Sequence, residues 1–376
     1  MYLAAVSLRV DRITLRELRI PLRTPFRASH GTTEARRVAL VELRVDGTRA
    51  AWSECVAGER PDYTAETFET AWHVLETWVA PSVIGRTFDA PEGIAEALAW
   101  IRGHPMARAA VEMACWATLA ERRGESLAGL LGGTRTALPC ARTLGITDDH
   151  DILASRARAA VDEGYARIKL KIEPGRDLEP LRAVRDAVGP EVALSADANG
   201  AYRLEDAEDL ARLDGVGLVM IEQPLPARDF AALAELQTRI ATPICLDESI
   251  ASVEDARTML ALDAGRIVNI TPGRVGGFGP ALAIHDLCLE AGIDAWCGGM
   301  FETGLGRAYN AALASLPGFT MAGDLTPAGA YLASDIVAQP AGAFDGSVRV
   351  PRGPGVGVVV DHERIDALTV RRSDLG

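Results

Sequence analysis

From about Leu138 onward, the chain repeats one pattern, in which a short apolar run is followed by a polar loop and an amphipathic helix. The apolar runs are "LPCARTLGI", "ARIKLKI", "VALSADA", "VGLVMIEQ", "TPICLDE", "RIVNI" and "DAWCGG". Strands that alternate with helices favour a parallel sheet, because parallel strands need helical crossovers. Polar residues end nearly every run, as at the active-site end of a (β/α) barrel, and no GxGxxG follows the first run. The pattern therefore favours a barrel over an open doubly wound sheet.

The part of the chain before this repeat has a different organisation. Apolar and polar residues alternate, as in antiparallel strands, in "RITLRELRIPL", "ARRVALVELRVDG" and "TRAAWSECVAG". The pair Asp46-Gly47 is typical of a hairpin turn. Stretches with apolar residues at helical spacing follow, the last being "HPMARAAVEMACWATLAERRG". Residues 1–133 are therefore predicted to form an α+β domain.

Charge and cysteine content limit the classes of partner. The 39 Lys and Arg residues face 52 Asp and Glu, a net charge of -13, which argues against nucleic acid or an anionic membrane surface as a partner. The sequence indicates neither an export signal nor a membrane span, because no positively charged N-terminal segment precedes a long apolar run and no stretch of about 18 uninterrupted apolar residues occurs. The six cysteines have mostly apolar neighbours and no CxxC spacing, so we expect buried thiols in a reducing compartment, the cytoplasm.

Three successive barrel runs each end in a carboxylate. Asp197, Glu222 and Asp247 follow one another at intervals of 25 residues. Each alone could cap a helix, but three at one register are predicted to lie side by side at the mouth of the barrel. Like charges so close repel unless a cation neutralises them. An all-oxygen set suits a hard ion, so the sequence predicts a Mg²⁺ site, with Mn²⁺ as an alternative.

The run before these carboxylates ends in two lysines. Lys169 and Lys171 alternate with apolar residues, so both share one face of a strand. Taken alone, the segment suits an exposed edge strand, but in the barrel this face is predicted to point into the mouth. A lysine near a cation and a second lysine is expected to have a lowered pKa. It would then suit the removal of a proton next to a carboxylate, since Mg²⁺ stabilises the resulting enediolate.

Motifs along nearly the whole chain resemble the enolase superfamily. Within it, they are most similar to the muconate-lactonizing-type branch and its group of o-succinylbenzoate synthases and N-succinylamino acid racemases. The motifs are "PFRASHGTTEARRVALVELRVDG", "ARAAVEMACWATLAERRG", "IKLKI", "SADANGAY", "IEQPL", "CLDES", "NITPGRVGG" and "WCGGMFETGLGRAYN". The resemblance implies an α/β fold: a (β/α)7β modified TIM barrel at residues 134–329, with an N-terminal α+β capping domain at residues 1–133 that residues of about 330–376 complete.

The resemblance also assigns roles to individual residues. It implies Asp197, Glu222 and Asp247 as Mg²⁺ ligands, Lys171 as the base, and Lys169 beside it as a charge that also touches a substrate carboxylate. Asn199 and Glu248 would orient the ligands. Substrate contacts are expected from Thr143, Thr271, Gly299, Met300 and Phe301, and from Phe26 and Tyr63 in the loops 24–32 and 56–63, which should close over the mouth. For the loop residues, a purely structural role remains an equal alternative.

One position departs from the pattern of the group. "NITPGRVGG" places Thr271 where the family normally has a lysine that faces the substrate from the side opposite Lys171. Threonine cannot exchange a proton at neutral pH, so two-base racemisation should be abolished or crippled. Syn dehydration needs one lysine only. The loss of a cation that stabilises the enediolate still costs a few kcal/mol of barrier.

The sequence therefore leaves three functions open. The first is a one-base o-succinylbenzoate synthase of menaquinone biosynthesis. The second is a related one-base cycloisomerase or dehydratase, or a racemase scaffold that lost its lysine naturally or by engineering. The third is a barrel that binds Mg²⁺ and a carboxylate without turnover. We expect a small carboxylate substrate and a homo-oligomer.

Two further chemistries are weaker alternatives. A Schiff-base aldolase has no need of three carboxylates in register. Histidine chemistry of the mandelate racemase type is disfavoured, because none of the six histidines ends a barrel run; they are His30, His73, His104, His150, His285 and His362.

Overall fold

A computed structural model of the chain describes residues 7–47, 50–338 and 345–376. The strands are β1 (Leu8–Ala28), β2 (Gly31–Val45), β3 (Ala51–Cys55), β4 (Thr87–Phe88), β5 (Ala137–Pro139), β6 (Ala141–Leu144), β7 (Arg167–Lys171), β8 (Ala193–Asp197), β9 (Met220–Glu222), β10 (Ile244–Leu246), β11 (Ile267–Ile270), β12 (Asp294–Cys297), β13 (Ser347–Arg349) and β14 (Thr369–Leu375).

The α-helices are α1 (Phe68–Val74), α2 (Ala80–Val83), α3 (Pro91–Leu98), α4 (Pro105–Arg123), α5 (Leu127–Leu130), α6 (His150–Asp162), α7 (Leu178–Val188), α8 (Ala207–Ala211), α9 (Phe230–Arg239), α10 (Val253–Leu262), α11 (Pro272–Val275), α12 (Phe278–Ala291), α13 (Gly304–Ala314) and α14 (His362–Leu368). A π-helical turn at Leu75–Val79 joins α1 to α2, and short 3₁₀ turns lie at Leu204–Asp206, Arg212–Val216 and Ala328–Ala330. No helix within the described ranges is long and apolar enough to cross a membrane.

An antiparallel sheet covers one side of the molecule. Its strand order is β14-β1-β2-β3, and the short β4 also pairs with β1. The C-terminal strand thus joins the sheet formed by the N-terminal strands. Asp46 and Gly47 both have positive φ angles, 49° and 63°, as the hairpin turn predicted at this pair requires.

The long strand β1 packs against two hydrophobic cores. Ile13 and Leu15 belong to a cluster with Trp72 and the helices of the N-terminal region. Further along, Leu18 and Ile20 belong to the larger cluster that fills the space between barrel strands and barrel helices. The sheet is therefore held against the barrel by apolar burial, which is the main driving force for such packing.

The predicted barrel is present. Seven parallel strands follow one another in the order β6 to β12, so consecutive strands are neighbours, as helical crossovers require. The eighth position is occupied by residues 319–324, where Phe319 bridges Ala295 and Gly323 bridges Cys140. The barrel therefore closes between β12 and β6.

The closing segment is not a regular strand, unlike the eighth strand that we expected. The amides of Thr320 and Met321 both donate to the carbonyl of Ala295, at 3.0 and 3.4 Å. Two residues facing one form a bulge, which interrupts the ladder. All six cysteines are buried and none forms a disulfide, as predicted.

Buried glutamates join the antiparallel region to the barrel. Glu112 on α4 accepts hydrogen bonds from the amides of Phe278 and Gly279, both at 2.9 Å, at the start of α12. Glu54 on β3 accepts from the amide and hydroxyl of Thr303, at 3.1 and 2.6 Å, at the start of α13. Burial raises the pKa of Glu54 to about 8 and that of Glu112 to about 7. Both side chains satisfy amides that a helix leaves unpaired at its N-terminus.

Replacement of Glu112 by alanine is expected to lower the free energy of unfolding by about 2–4 kcal/mol, because the amides of Phe278 and Gly279 lose their acceptor. Urea unfolding followed by circular dichroism measures this change. Glu121→Ala is the matched control, because Glu121 is exposed on the same helix. Equal midpoints for the two variants would contradict the role assigned to Glu112.

Candidate active site

A cavity of about 420 Å³ opens at the carboxyl ends of the barrel strands. Nearly all the residues predicted for the site line it: Lys169, Lys171, Asp197, Asn199, Glu222, Asp247, Thr143, Thr271, Gly299, Met300, Phe301, Phe26 and Tyr63. Glu248 does not line the cavity. It lies half-buried behind Asn199, whose side-chain amide donates to it at 2.8 Å.

Strand β7 explains the placement of the two lysines. Ile168 and Leu170 are buried in the core between strands and helices. The alternate side chains, Lys169 and Lys171, point to the other face and reach the cavity, where they are 4% and 13% exposed. The alternation therefore marks a barrel interior and not an edge strand.

Lys169 lies between three carboxylates. Its Nζ is 2.9 Å from Asp197, 2.8 Å from Glu222 and 2.9 Å from Asp324. Burial favours the neutral amine, but these carboxylates outweigh it and raise the pKa of Lys169 well above its usual value. Among these carboxylates Lys169 is an ammonium, and the lowered pKa that we expected for a lysine beside a bound cation stays a prediction.

Lys171 has a different set of partners. Its Nζ donates to a carboxylate oxygen of Asp197 at 2.6 Å and to the side-chain carbonyl of Asn199 at 2.7 Å. Asn199 has a positive φ of 46°. Its side-chain amide donates a hydrogen bond to Glu248, and its backbone N–H donates one to the Asp197 carboxylate at 3.1 Å. These contacts fix the amine of Lys171 at the cavity wall.

The three predicted metal ligands end adjacent strands, but their oxygens bind protein groups. Asn269 donates to Glu222 at 3.0 Å. Tyr63 donates to Asp247 at 3.1 Å, and Arg274 also contacts Asp247. Within residues 7–47, 50–338 and 345–376, no three Asp, Glu, His or Cys side chains stand at the spacing of a metal shell. A metal would have to displace Lys169 or Arg274 from these oxygens.

The chemistry of the donor set nevertheless fits a hard divalent cation, which prefers carboxylate oxygens. Burial raises the pKa of Glu222 to about 8, and the charges of Asp197 and Asp247 contribute to the rise. Mutual repulsion of this kind is relieved when a cation binds among the carboxylates. The assignment of Asp197, Glu222 and Asp247 as ligands stays a prediction.

Thr271 lies across the barrel from Lys171. Strand β7 holds the second position of the barrel and β11, which Thr271 follows, holds the sixth, so the two are four of eight positions apart. Arg274, which is 1% exposed, donates to the Thr271 hydroxyl at 3.1 Å and to the Tyr63 hydroxyl at 2.8 Å. Burial lowers the pKa of Arg274, but Asp247 outweighs this effect and raises it. A permanent guanidinium thus lies beside Thr271.

The loops from the antiparallel region reach the cavity, as predicted. The hydroxyl of Ser29, at the tip of the β1–β2 hairpin, donates to the carbonyl of Ala198 at 2.9 Å. Phe26 packs edge-on against Phe301, with ring centroids 5.1 Å apart, and Tyr331 packs against both rings. The aromatic rings line one part of the cavity with apolar surface, whereas the strand ends line another part with charged side chains.

Sequence reasoning missed several residues that belong to the site: Asp324, Asn269, Arg274 and His30. Asp324 is the last residue of the irregular closing segment, so no apolar run marks its position. His30 comes from the hairpin tip and does not end a barrel run. Asn269 lies two residues before the predicted Thr271 and Arg274 three residues after it, and this closeness to Thr271 was the available signal.

Comparisons with known proteins agree with this geometry. Residues 153–364 match the family model "Enolase C-terminal domain-like", and residues 11–132 match "Mandelate racemase / muconate lactonizing enzyme, N-terminal domain". An N-succinylamino acid racemase of Amycolatopsis sp is 44% identical over 98% of this chain and 100% of its own length. An o-succinylbenzoate synthase of Bacillus subtilis is 43% identical over 94% of this chain and 95% of its own.

Solved structures show the same relation. The crystal structure of an enolase superfamily member from Listeria innocua superimposes with a TM-score of 0.94. It is 36% identical to this chain and covers 98% of it, with 99% of the other chain matched. The N-succinyl Arg/Lys racemase of Bacillus cereus gives a TM-score of 0.91 at 26% identity and covers 98% of this chain, with 100% of the other chain matched.

Proposed function

Since this chain belongs to the enolase superfamily, we propose that it is a Mg²⁺-dependent lyase with one base, an o-succinylbenzoate synthase of menaquinone biosynthesis. One observation carries the proposal: Lys171 lies on one side of the cavity, and Thr271 lies across the barrel where a second base would be needed. Syn elimination requires proton transfer on a single face, whereas racemisation requires it on two.

The residues of the chain divide the work of the elimination. Lys171 takes the proton next to the substrate carboxylate, and the electron pair of that C–H bond enters the enediolate. As the C–O bond on the neighbouring carbon breaks, the pair forms the C=C bond, and the ammonium of Lys171 gives its proton to the departing oxygen. Water is released and Lys171 returns to the amine. Asn199 and Asp197 orient the amine throughout.

A second set of residues stabilises negative charge in the site. Lys169 remains an ammonium, so it balances the carboxylates and can bind the carboxylate of the substrate. Asp197, Glu222 and Asp247 would hold Mg²⁺, whose chemistry there is to stabilise the enediolate charge. The guanidinium of Arg274 supplies positive charge on the side that lacks the second lysine. Thr143, Gly299, Met300 and the aromatic rings of Phe26 and Phe301 are the proposed substrate contacts.

A racemase scaffold is the second candidate. It is favoured by the 44% identity to the N-succinylamino acid racemase of Amycolatopsis sp. Under this candidate, Thr271 marks the loss of the second acid or base, and the cavity still binds N-acyl amino acids. The third candidate is a barrel that binds Mg²⁺ and a carboxylate without turnover.

The cellular setting is part of the proposal. Six free, buried thiols support a reducing compartment, and we propose the cytoplasm. The partner is a small carboxylate substrate, and the chain is proposed to act as a homo-oligomer. We also propose a division into two domains. The capping domain comprises residues 1–133 and about 330–376, and the barrel comprises residues 134–329.

Turnover should depend on a divalent cation. With the hydroxylated precursor of o-succinylbenzoate, we expect dehydration in the presence of Mg²⁺ and at least about a hundredfold loss after chelation with EDTA, because the enediolate loses its stabilising charge. Readdition of Mg²⁺ or Mn²⁺ should restore the rate. Ultraviolet absorbance of the aromatic product measures it.

The chelated protein serves as its own control for folding, through its circular dichroism spectrum. Metal-independent dehydration would overturn the proposed metal role. Complete absence of turnover, with substrate binding detected by calorimetry, would favour the binding-only barrel.

A further inference from the structure

His30 is a titratable side chain in the cavity for which the proposed reaction has no role so far. It lies at the tip of the β1–β2 hairpin, and its ring lines the cavity together with Lys171. Ser29, the preceding residue, is bonded to the carbonyl of Ala198, one residue beyond Asp197. The hairpin tip is thereby held at the side of the mouth where β7 and β8 end.

The two ring nitrogens of His30 have different surroundings. Nδ1 is shielded from solvent and has no hydrogen-bond partner among the described residues. Nε2 is not shielded in this way, and no described residue binds it either. A polar ring left without partners beside a ligand cavity requires an explanation, since buried polar groups are nearly always hydrogen-bonded.

Charge determines the form of the ring. Burial lowers the pKa of His30, and the ammonium of Lys171 lowers it further, whereas Asp62 and Asp197 act in the opposite direction. Asp62 is itself paired with Arg60, at 2.6 Å. A neutral imidazole carries one N–H donor. With Nδ1 shielded, that donor is placed at Nε2, where it can point into the cavity.

We propose that Nε2–H of His30 donates a hydrogen bond to the hydroxyl that leaves the substrate, on the face where Lys171 acts. This assignment rests on the proposed dehydration. In a syn elimination, the proton and the hydroxyl depart on the same side, and His30 and Lys171 line the same side of the mouth. The proton that completes the water still comes from Lys171, so His30 remains neutral and only stabilises the negative charge that develops on oxygen.

The proposal separates two reactions of one site. Removal of the proton next to the carboxylate involves Lys171 but no leaving group, whereas dehydration involves both. Loss of the His30 donor should therefore slow dehydration and leave proton exchange unchanged. A residue that merely supports the fold, or that binds the substrate carboxylate, would affect both reactions alike.

The experiment compares His30→Phe and His30→Gln with the wild type. Dehydration of the hydroxylated precursor is followed by absorbance, and hydrogen exchange next to the carboxylate of an N-succinyl amino acid is followed in D₂O by NMR. We expect His30→Phe to lower kcat for dehydration about 10- to 100-fold with exchange within about twofold of the wild type. His30→Gln, which retains an N–H donor, should recover part of the rate. His73→Gln, at an exposed histidine, is the control.

Each outcome is decisive. Undiminished dehydration in His30→Phe, or equal losses in dehydration and exchange, overturns the assignment of His30 and leaves the proposed function intact. Exchange without dehydration in the wild type shows that the proposed function itself is wrong, and the assignment of His30 is then rejected with it.

Discussion

Lys171→Ala is expected to lower kcat for dehydration by about 10³-fold or more, because general acid and base catalysis by one positioned group contributes 10²- to 10⁴-fold and Lys171 serves in both steps. Thr271 cannot replace it from the other side of the barrel. Lys169 is not expected to replace it either, because Asp324, which lies 2.9 Å from its Nζ and is not a proposed metal ligand, favours the ammonium form. Steady-state rates and single-turnover rates measure the loss.

The substitution also tests the geometry. Asp197 and Asn199 would each lose a partner at 2.6–2.7 Å, so the variant must be checked for folding by circular dichroism. Arg182→Ala, at an exposed position of helix α7, is the matched control and should keep full activity. A Lys171→Ala protein that keeps a tenth of the wild-type rate would show that another group is the base.

Thr271→Lys is expected to create racemase activity. The new amine would lie across the barrel from Lys171, so that one lysine could remove a proton and the other return it on the opposite face. The guanidinium of Arg274, 3.1 Å from the present hydroxyl, would disfavour a second positive charge and lower the pKa of the new lysine. A lysine that is partly neutral at pH 7 suits proton transfer. We expect racemisation of N-succinyl amino acids to rise at least about a hundredfold.

Space near Thr271 restricts the direction of the new side chain. A Cβ on Gly298 would clash with the Thr271 hydroxyl, so there is no room toward Gly298 and the lysine must extend into the cavity. Thr271→Met, of comparable length but without an amine, is the control. Polarimetry and deuterium incorporation into both enantiomers measure the reaction. No racemisation in a folded Thr271→Lys protein that still dehydrates its substrate would exclude the racemase scaffold.

The sequence predicted the parts of the site that follow from period and spacing. Alternation along β7 predicted which face holds Lys169 and Lys171, and equal intervals predicted that Asp197, Glu222 and Asp247 end adjacent strands. Both predictions depend only on the geometry of the backbone, which sets the direction of alternate side chains and the spacing of successive strands. The strand ends are therefore where the interval predicts, and all five side chains line one cavity.

Side-chain pairing could not be predicted in this way. The position of Asp324 depends on a bulged segment that closes the barrel, and there Asp324 joins Asp197 and Glu222 in raising the pKa of Lys169. Arg274 reads as one residue of a glycine-rich turn, yet it contacts Asp247. His30 reaches the site only because the hairpin folds over the barrel. Each of these depends on contacts between residues far apart in the chain.

Strand β7 has one more consequence, for chemical labelling. Lys169 and Lys171 are the only lysines among the 376 residues, since all other basic side chains are arginine or histidine. Apart from the terminal amine, every reagent selective for primary amines must therefore react inside the cavity. Reductive methylation with ¹³C-formaldehyde would give two side-chain NMR signals, and each would report on the cavity without any engineered tag.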